Sequence, residues 1–505
     1  MSTRRLVAWI TFLAVFAMAA RVSVDTDTWW HLRTGQWIIE NGTVPRSDPF
    51  SYTRLGQPWQ PPGWLVQVPM FWIYRLAGPG GLNIWTALMV TLSFYFVWRV
   101  LRGGMFLRAL IIVLAAATSG VYWAARPYLV TFLLAAVYLS LLEDYRWKGG
   151  GPDETGRRAE RRLWWLPVLM VVWVNSHGGF AVGFLLLAVY LGALVVQLCV
   201  SWAQPRIGNT GDGDLPTPPG FLLRQIARLG LVGAAMLLAA CINPYGPAQL
   251  AYPFMTVSIG ALQDYILEWQ SPDFHNPQAL PFIWLALAVF AAVGASRRRL
   301  ALSDFFLFGG FLTLGLMAWR NVALFALAAA PVLARHADDA LAPLAERLGW
   351  RGLPDRPRSP AQGRLNRLLL AVLLLAVGLK AWVDFSAQAN RTVFKQTLPV
   401  GAVDYLQREA PPGRLFNSYN WGAYLLWELP EYPVFIDGRT DLYNDDVIGE
   451  WLAIMRAEPG WEAGLERWGV NAVLVEPGAP LAAALEQAGW EKAYLDEVAV
   501  VMIRR

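Results

Sequence analysis

The chain has 505 residues, 56% of them hydrophobic and only 16% charged, with a formal net charge of +5. Soluble globular chains carry about 45–50% apolar and about 25% charged residues. The composition excludes a soluble enzyme, a disordered chain and a nucleic-acid-binding protein: the basic residues sit in short clusters between apolar runs, the pattern of cytoplasmic membrane loops. Two cysteines exclude a disulfide scaffold. Twenty-six tryptophans suit membrane interfaces and sugar stacking alike.

A helix crosses the hydrocarbon core with about 20 mostly apolar residues. Eleven stretches read as spans: 6–22, 82–98, 105–123, 128–143, 163–174, 178–200, 227–242, 279–295, 302–318, 322–335 and 366–384. The apolar stretch 64–78 holds Pro69 and Arg75 and reads as an interfacial or re-entrant segment. The first run also carries a cleavage-like Ala17-Met18-Ala19, but further spans and the richest polar motif follow it, so we read it as retained. Arg4 and Arg5 put the N-terminus in the cytoplasm. The inside loops then hold 23 Lys and Arg, against 6 in the outside segments before the tail. Cys199 and Cys241 fall at opposite membrane faces, too far apart to bridge. Stretches 149–158 and 209–220 are rich in Gly, Pro and charge and read as cytoplasmic linkers.

After the last span the charges return. Strand-like runs at 414–417, 433–437, 471–476 and 498–505 alternate with helical patterns at 399–409, 444–456, 461–468 and 479–488. The expected architecture is a polytopic α-helical membrane domain over 1–384, with its first extracytoplasmic loop at 23–81. An extracytoplasmic α/β domain over 385–505 follows. Compact loops and the lack of a eukaryotic targeting signal point to a bacterial inner (plasma) membrane.

The uncommon polar residues gather on the outside face: DTDTWWH (25–31), ARP (125–127), NSHGG (175–179), NPYG (243–246), QDYILEW (263–269) and WRN (319–321). Polar groups beside hydrocarbon are expensive and mark functional sites. Asp25 and Asp27, two apart, face the same way if the segment is extended. One then serves as a general base, or both hold a divalent cation. Arg126, Arg320 and Arg33 are suited to bidentate phosphate contact, although snorkelling to headgroups is an equal alternative. His177 is placed for proton transfer or phosphate binding, beside glycines that let a ligand approach. Trp29 and Trp30 offer faces for sugar stacking or belong to an interfacial belt. In the tail, IDGRTDLYNDD (436–446) offers acids for calcium or an acceptor, but its spacing is not that of an EF-hand, which favours a structural turn after a strand.

The stretch from Asp25 to about Gly80 resembles the first extracytoplasmic loop of GT-C glycosyltransferases, such as protein O-mannosyltransferases and the aminoarabinose transferases of lipid A. The shared order is Asp25 and Asp27, the helix HLRTGQWIIE, Gly42-Thr-Val-Pro45, Gly56-Gln-Pro58, and Pro61-Pro62 before WLVQVPMF. The chain also resembles a set of bacterial polytopic membrane proteins through DTDTWWHLRTG, VNSHGGF, INPYG and VFIDGRTDLY.

The GT-C resemblance implies transfer of a sugar from a polyprenyl-phosphate donor to a glycan, lipid or protein acceptor outside the cytoplasm. Asp25 or Asp27 would be the catalytic acid. One branch of the family works without metal and another uses one. Asp-Thr-Asp here departs from the Asp-Glu of the former, so a Mg²⁺ or Mn²⁺ ion on Asp25, Asp27, His177 and Glu268, with Asp264 nearby, stays open. A transporter or flippase of a lipid-linked glycan, or a non-catalytic assembly factor, is the alternative from another class.

Overall fold

A computed structural model of the chain describes residues 1–151, 153–203, 218–348, 352–357 and 359–504, and most of them are helical. Each of the eleven expected spans falls on a helix. Among the described residues, seven helices are long and apolar enough to cross a membrane: Trp64–Val100, Met105–Tyr122, Tyr128–Lys148, Gly178–Trp202, Pro219–Ala240, Pro277–Ala295 and Pro360–Asp384. Leu302–Met317 is apolar but shorter. Trp165–Val174 has only 10 residues, a rise of about 15 Å, so the stretch 163–174 does not cross by itself.

Two helices show how similar apolar runs take different places. Every residue from Val322 to Ala337 is buried, which makes Val322–Arg347 the central helix of the bundle. Pro360–Asp384 is equally apolar, yet only Gly363, Asn366 and Ala381 are buried, so nearly all of its surface faces the surroundings. A helix apolar on all sides must meet protein or lipid. The first of these meets protein, and the second is left for lipid.

The interfacial segment expected at 64–78 is helical and runs into the following span, forming Trp64–Val100. The two halves are separated at Gly78, where φ is +60° and ψ −158°. Only glycine takes this conformation readily, and Pro79 then restarts the helix. The linker expected at 149–158 is partly ordered: Asp153 caps the helix Glu154–Leu163 by accepting a bond from the Gly156 amide at 3.0 Å. Of the second linker, residues 209–217 lie outside the described residues, and Pro219–Ala240 is already helix. Cys199 and Cys241 are both free thiols.

The tail carries a four-stranded sheet of β1 (Arg414–Asn417), β2 (Val470–Val475), β3 (Glu491–Leu495) and β4 (Val500–Ile503), in the order β1-β2-β4-β3. β1 and β2 are parallel, and the other pairs are antiparallel. The expected strand at 433–437 is not part of this sheet. Its Val434 forms a lone bridge with Ser51 of the first loop, and Tyr52 N–H bonds the Val434 carbonyl at 3.1 Å. Its apolar residues are buried against that loop instead.

Arg439 fixes the joint between tail and loop. Its side chain is fully buried and reaches Asp48 of the first loop at 2.5 Å and Asp437 at 2.6 Å. The rings of Trp59 and Phe50 lie 4.7 and 5.2 Å from the guanidinium. Asp48 also accepts from the Phe50 and Ser51 amides at 3.1 and 3.0 Å. Removing one partner of a buried ion pair costs about 3–5 kcal/mol, because the other charges stay buried. Arg439→Ala is therefore expected to lower the thermal midpoint of the detergent-solubilised protein and expose the tail to protease. Arg439→Lys should restore only part, because ammonium lacks the planar fork. An Arg439→Ala protein with an unchanged midpoint and unchanged protease resistance would contradict this.

Candidate functional site

Two short segments are zipped together just outside the helix ends. Ser23 N–H bonds Asn83 Oδ1 at 3.1 Å, the Ala125 amide donates to Ser23 Oγ at 3.2 Å, and Thr28 Oγ1 donates to the Ala125 carbonyl at 3.0 Å. This fixes Arg126, two residues before the helix Tyr128–Lys148, beside Asp25 and Asp27, which follow the first helix. The carboxylates do converge, but through a turn. Asp27 has φ −81° and ψ −20°, and its amide bonds Asp25 Oδ1 at 2.9 Å.

Arg126 collects three acids from three parts of the chain. Nε lies 3.2 Å from Asp25 Oδ2, one terminal nitrogen 2.8 Å from Asp27 Oδ2, and the other 2.6 Å from Glu268 Oε1. Tyr122 donates a hydrogen bond to the other oxygen of Glu268, and its ring lies 5.4 Å from the guanidinium. Burial raises the pKa of Asp25, with Arg126 opposing. Burial pushes Asp27 up to about 7, again against Arg126, with the neighbouring acids adding to the rise. Burial would also raise Glu268, but Arg126, Arg320 and the Tyr122 hydroxyl outweigh it and leave its pKa lowered. Similar side chains thus hold different proton affinities in one cluster, the condition that separates acid and base roles.

An open cleft of about 330 Å³ adjoins the cluster, lined by Arg21, Ser23, Asp25, Tyr122, Trp123, Arg126 and Glu268. Among the described residues Arg21 donates to the backbone carbonyls of Gly120 and Trp123, at 2.6 and 3.4 Å, and pairs with no carboxylate. Trp123 Nε1 is buried without a partner. Arg320 rests on the ring of Trp269, 4.2 Å away, and among the described residues its guanidinium pairs with no carboxylate.

The other expected site residues are placed as follows. His177 Nδ1 accepts from the Gly179 amide at 2.9 Å and pairs with Thr131 Oγ1 at 2.8 Å. Burial, with Arg320 and Arg126 nearby, lowers its pKa to about 3, so the ring is neutral. Arg33 bonds Gln36 at 3.0 Å and lies over Phe50, away from the acid cluster. Trp29 is buried in edge-to-face contact with the rings of Tyr74, Phe394 and Tyr424. Trp30 stacks on His31 at 3.6 Å and keeps an unpartnered Nε1. Asp264 is exposed. Sequence reasoning missed Arg21 and Tyr122. Each lies within or at the end of an expected span, where a polar side chain looks like an interfacial anchor.

A divalent cation does not fit this donor set as it stands. The three carboxylates converge on a guanidinium, and a metal would have to expel Arg126. His177 has its Nδ1 committed elsewhere, and among the described residues no group of three or more His, Cys, Asp and Glu is arranged to hold a metal.

No protein-family model and no curated protein matches the sequence. Solved structures do match by fold. The oligosaccharyltransferase of Archaeoglobus fulgidus superposes with a TM-score of 0.54 at 12% identity, over 93% of this chain and 69% of that one. The same enzyme, AglB, in complex with an inhibitory peptide and a dolichol-phosphate matches at 0.54 and 12%, over 97% and 71%. ArnT from Cupriavidus metallidurans, bound to undecaprenyl phosphate, covers 99% of this chain and 97% of its own at 17% identity, with a TM-score of 0.47. At this identity the likeness shows the fold alone, and that fold is shared with the oligosaccharyltransferase of Archaeoglobus fulgidus.

The shift of Asp27 has a direct readout. Its carboxyl is protonated below about pH 7 and ionised above it. In infrared difference spectra a protonated carboxyl band should fade as pH rises through about 7, and should be missing in Asp27→Asn. A band that is already lost by pH 5 would contradict the environment described.

Proposed function

We propose that the protein is a membrane glycosyltransferase that moves a sugar from a polyprenyl-phosphate donor to an acceptor on a glycan, lipid or protein. The site faces the extracytoplasmic side of a bacterial inner membrane. The observation that carries this is the cluster itself: in a GT-C fold, a carboxylate whose pKa is pushed up to about 7 stands beside an open cleft lined by Arg21 and Arg126. A base works best when its pKa lies near the operating pH. Asp27 accepts the proton of the acceptor as that group attacks the anomeric carbon. The phosphate leaves with the electron pair of the broken bond. The dolichol-phosphate held by AglB supports a lipid-phosphate donor. The excess of basic residues in the opposite loops supports the sidedness.

The cations divide their work. All three nitrogens of Arg126 face carboxylates, so it holds Asp25, Asp27 and Glu268 in place. Arg21, which lines the cleft, and Arg320, neither of them paired with a carboxylate among the described residues, suit the departing phosphate. Arg126 fills the place that Mg²⁺ or Mn²⁺ would take, so transfer proceeds without metal.

The test is sugar release by the purified protein from a panel of polyprenyl-phosphate sugars. Asp27→Asn is expected to lower the rate at least about 100-fold, the range of a lost general base. Wild-type rate should rise with pH through about 7, as Asp27 loses its proton, and should be unchanged by EDTA or added Mg²⁺ and Mn²⁺. Arg21→Gln and Arg320→Gln should raise the donor KM. Absence of release from every donor, with lipid binding intact, would overturn the enzyme in favour of a transporter. Loss of activity with EDTA would overturn the role given to Arg126.

A further inference from the structure

The end of the bundle away from the acid cluster carries a free face of its own. The helix Tyr128–Lys148 begins beside Arg126 and ends at this face, where two short helices follow, Glu154–Leu163 and Trp165–Val174. Trp164 caps both and has helical φ −69° and ψ −7°, so the rotation continues from one to the other. Gly156, Ala159, Leu163, Leu166 and Met170 are buried, at steps of three and four residues. Arg158, Arg161, Trp165, Val168 and Val172 repeat those steps two residues later and are exposed. At about 100° per residue, this second stripe looks the opposite way, out of the bundle.

Along the stripe the chemistry is graded. Arginine comes first, then Trp165 with Trp164 beside it, then valine. At about 1.5 Å per residue, Arg161 stands about 6 Å before Trp165, and Val172 about 10 Å beyond it. The headgroup layer of one leaflet is about 5–8 Å deep, over a hydrocarbon half of about 15 Å. Cation, indole and aliphatic side chain thus match phosphate, interface and acyl chain in order. Trp147 and Trp202, exposed at the ends of Tyr128–Lys148 and Ala181–Ala203, mark the same boundary on neighbouring helices.

The carboxylates nearby are engaged. Glu160 accepts from the Gly150 amide at 3.1 Å and pairs with Arg228 of the helix Pro219–Ala240. Asp144 pairs with Lys148 and, at 3.2 Å, with Arg162. Glu154 meets Arg158 at 3.5 Å, with both side chains more than half exposed. Among the described residues Arg161 pairs with no carboxylate. Neither does Arg224, one turn before Arg228, whose Nε donates to the Gly220 carbonyl at 3.2 Å.

We propose that this face binds anionic phospholipids in the leaflet opposite the acid cluster. Arg161 and Arg224 take the headgroup phosphates, aided by Arg158, and Trp164 and Trp165 sit at the interface. Charge complementarity selects the lipid class: a zwitterionic headgroup returns a positive charge toward the arginines, and an anionic one does not. The indoles and valines select a lipid over a free anion, because their apolar surface gains only from acyl chains.

The experiment measures lipid binding to the full-length, detergent-purified protein by intact-complex mass spectrometry, with phosphatidylglycerol and phosphatidylcholine of identical acyl chains. Wild type is expected to bind phosphatidylglycerol at least about fivefold more tightly, the worth of one basic residue at an anionic surface. Arg161→Gln/Arg224→Gln should lose about fivefold in phosphatidylglycerol affinity per arginine and leave phosphatidylcholine binding unchanged. Arg297→Gln/Arg299→Gln, which removes two exposed cations from the same end of the bundle, should bind like wild type. Equal affinity for the two lipids in wild type would overturn the proposal without any variant. Equal losses in the two double variants would overturn it in favour of diffuse charge. Displacement of phosphatidylglycerol by an equal concentration of inorganic phosphate would overturn the choice of a lipid.

Discussion

Everything in the acid cluster depends on one guanidinium. Three carboxylates taken out of bulk water repel one another, and each would neutralise or move apart without a countercharge. Arg126 supplies that charge from the first turn before a long helix, bonded to acids from the first loop and from residue 268. The planar fork of arginine spreads its donors over three nitrogens, so each acid meets a nitrogen of its own. One positive charge is not enough for three negative ones. Burial, with the neighbouring acids adding to it, raises the proton affinity of Asp25 and Asp27, while Glu268, shared with Arg320 and Tyr122, is held with a lowered pKa.

The tail depends on a second buried arginine of the same kind. Arg439 joins Asp437 to Asp48 and thereby seats the loop 436–446 over the first one. The two clusters are linked through short chain segments: Gly438 is adjacent to Arg439 and lies against Asp27. A distortion at the joint therefore reaches the acid cluster within a single residue. This brings the sheet-bearing tail into contact with the acid cluster.

Much of this was legible from the residues. Apolar runs marked the helices because hydrocarbon leaves little freedom in composition, and all eleven fell on helical segments. Asp25, Asp27, Arg126, His177, Glu268 and Arg320 stood out because charge beside an apolar run is costly. Their partners were not legible. Nothing in spacing tells that Arg126 meets acids about 100 and 140 residues away, rather than a phosphate. Residues 433–437 have the apolar pattern of a sheet strand, but pairing is settled by which backbone is near, and there it is residues 51–52 of the first loop. The helix Tyr419–Glu428 and the strand β3 (EKAYL) were not anticipated; β3 is the sheet's edge, where charge is tolerated. Gly438 was one glycine in a turn-like run, and only the backbone's closeness to Asp27 gives it meaning.

The most direct measurement is a cryo-electron-microscopy structure of the wild-type protein with bound polyprenyl phosphate, prepared with and without Mn²⁺. The account predicts phosphate density against Arg21 and Arg320, with Arg126 still contacting Asp25, Asp27 and Glu268 in both samples. Phosphate seated on Arg126 with the carboxylates released, or a metal ion standing between them, would contradict it.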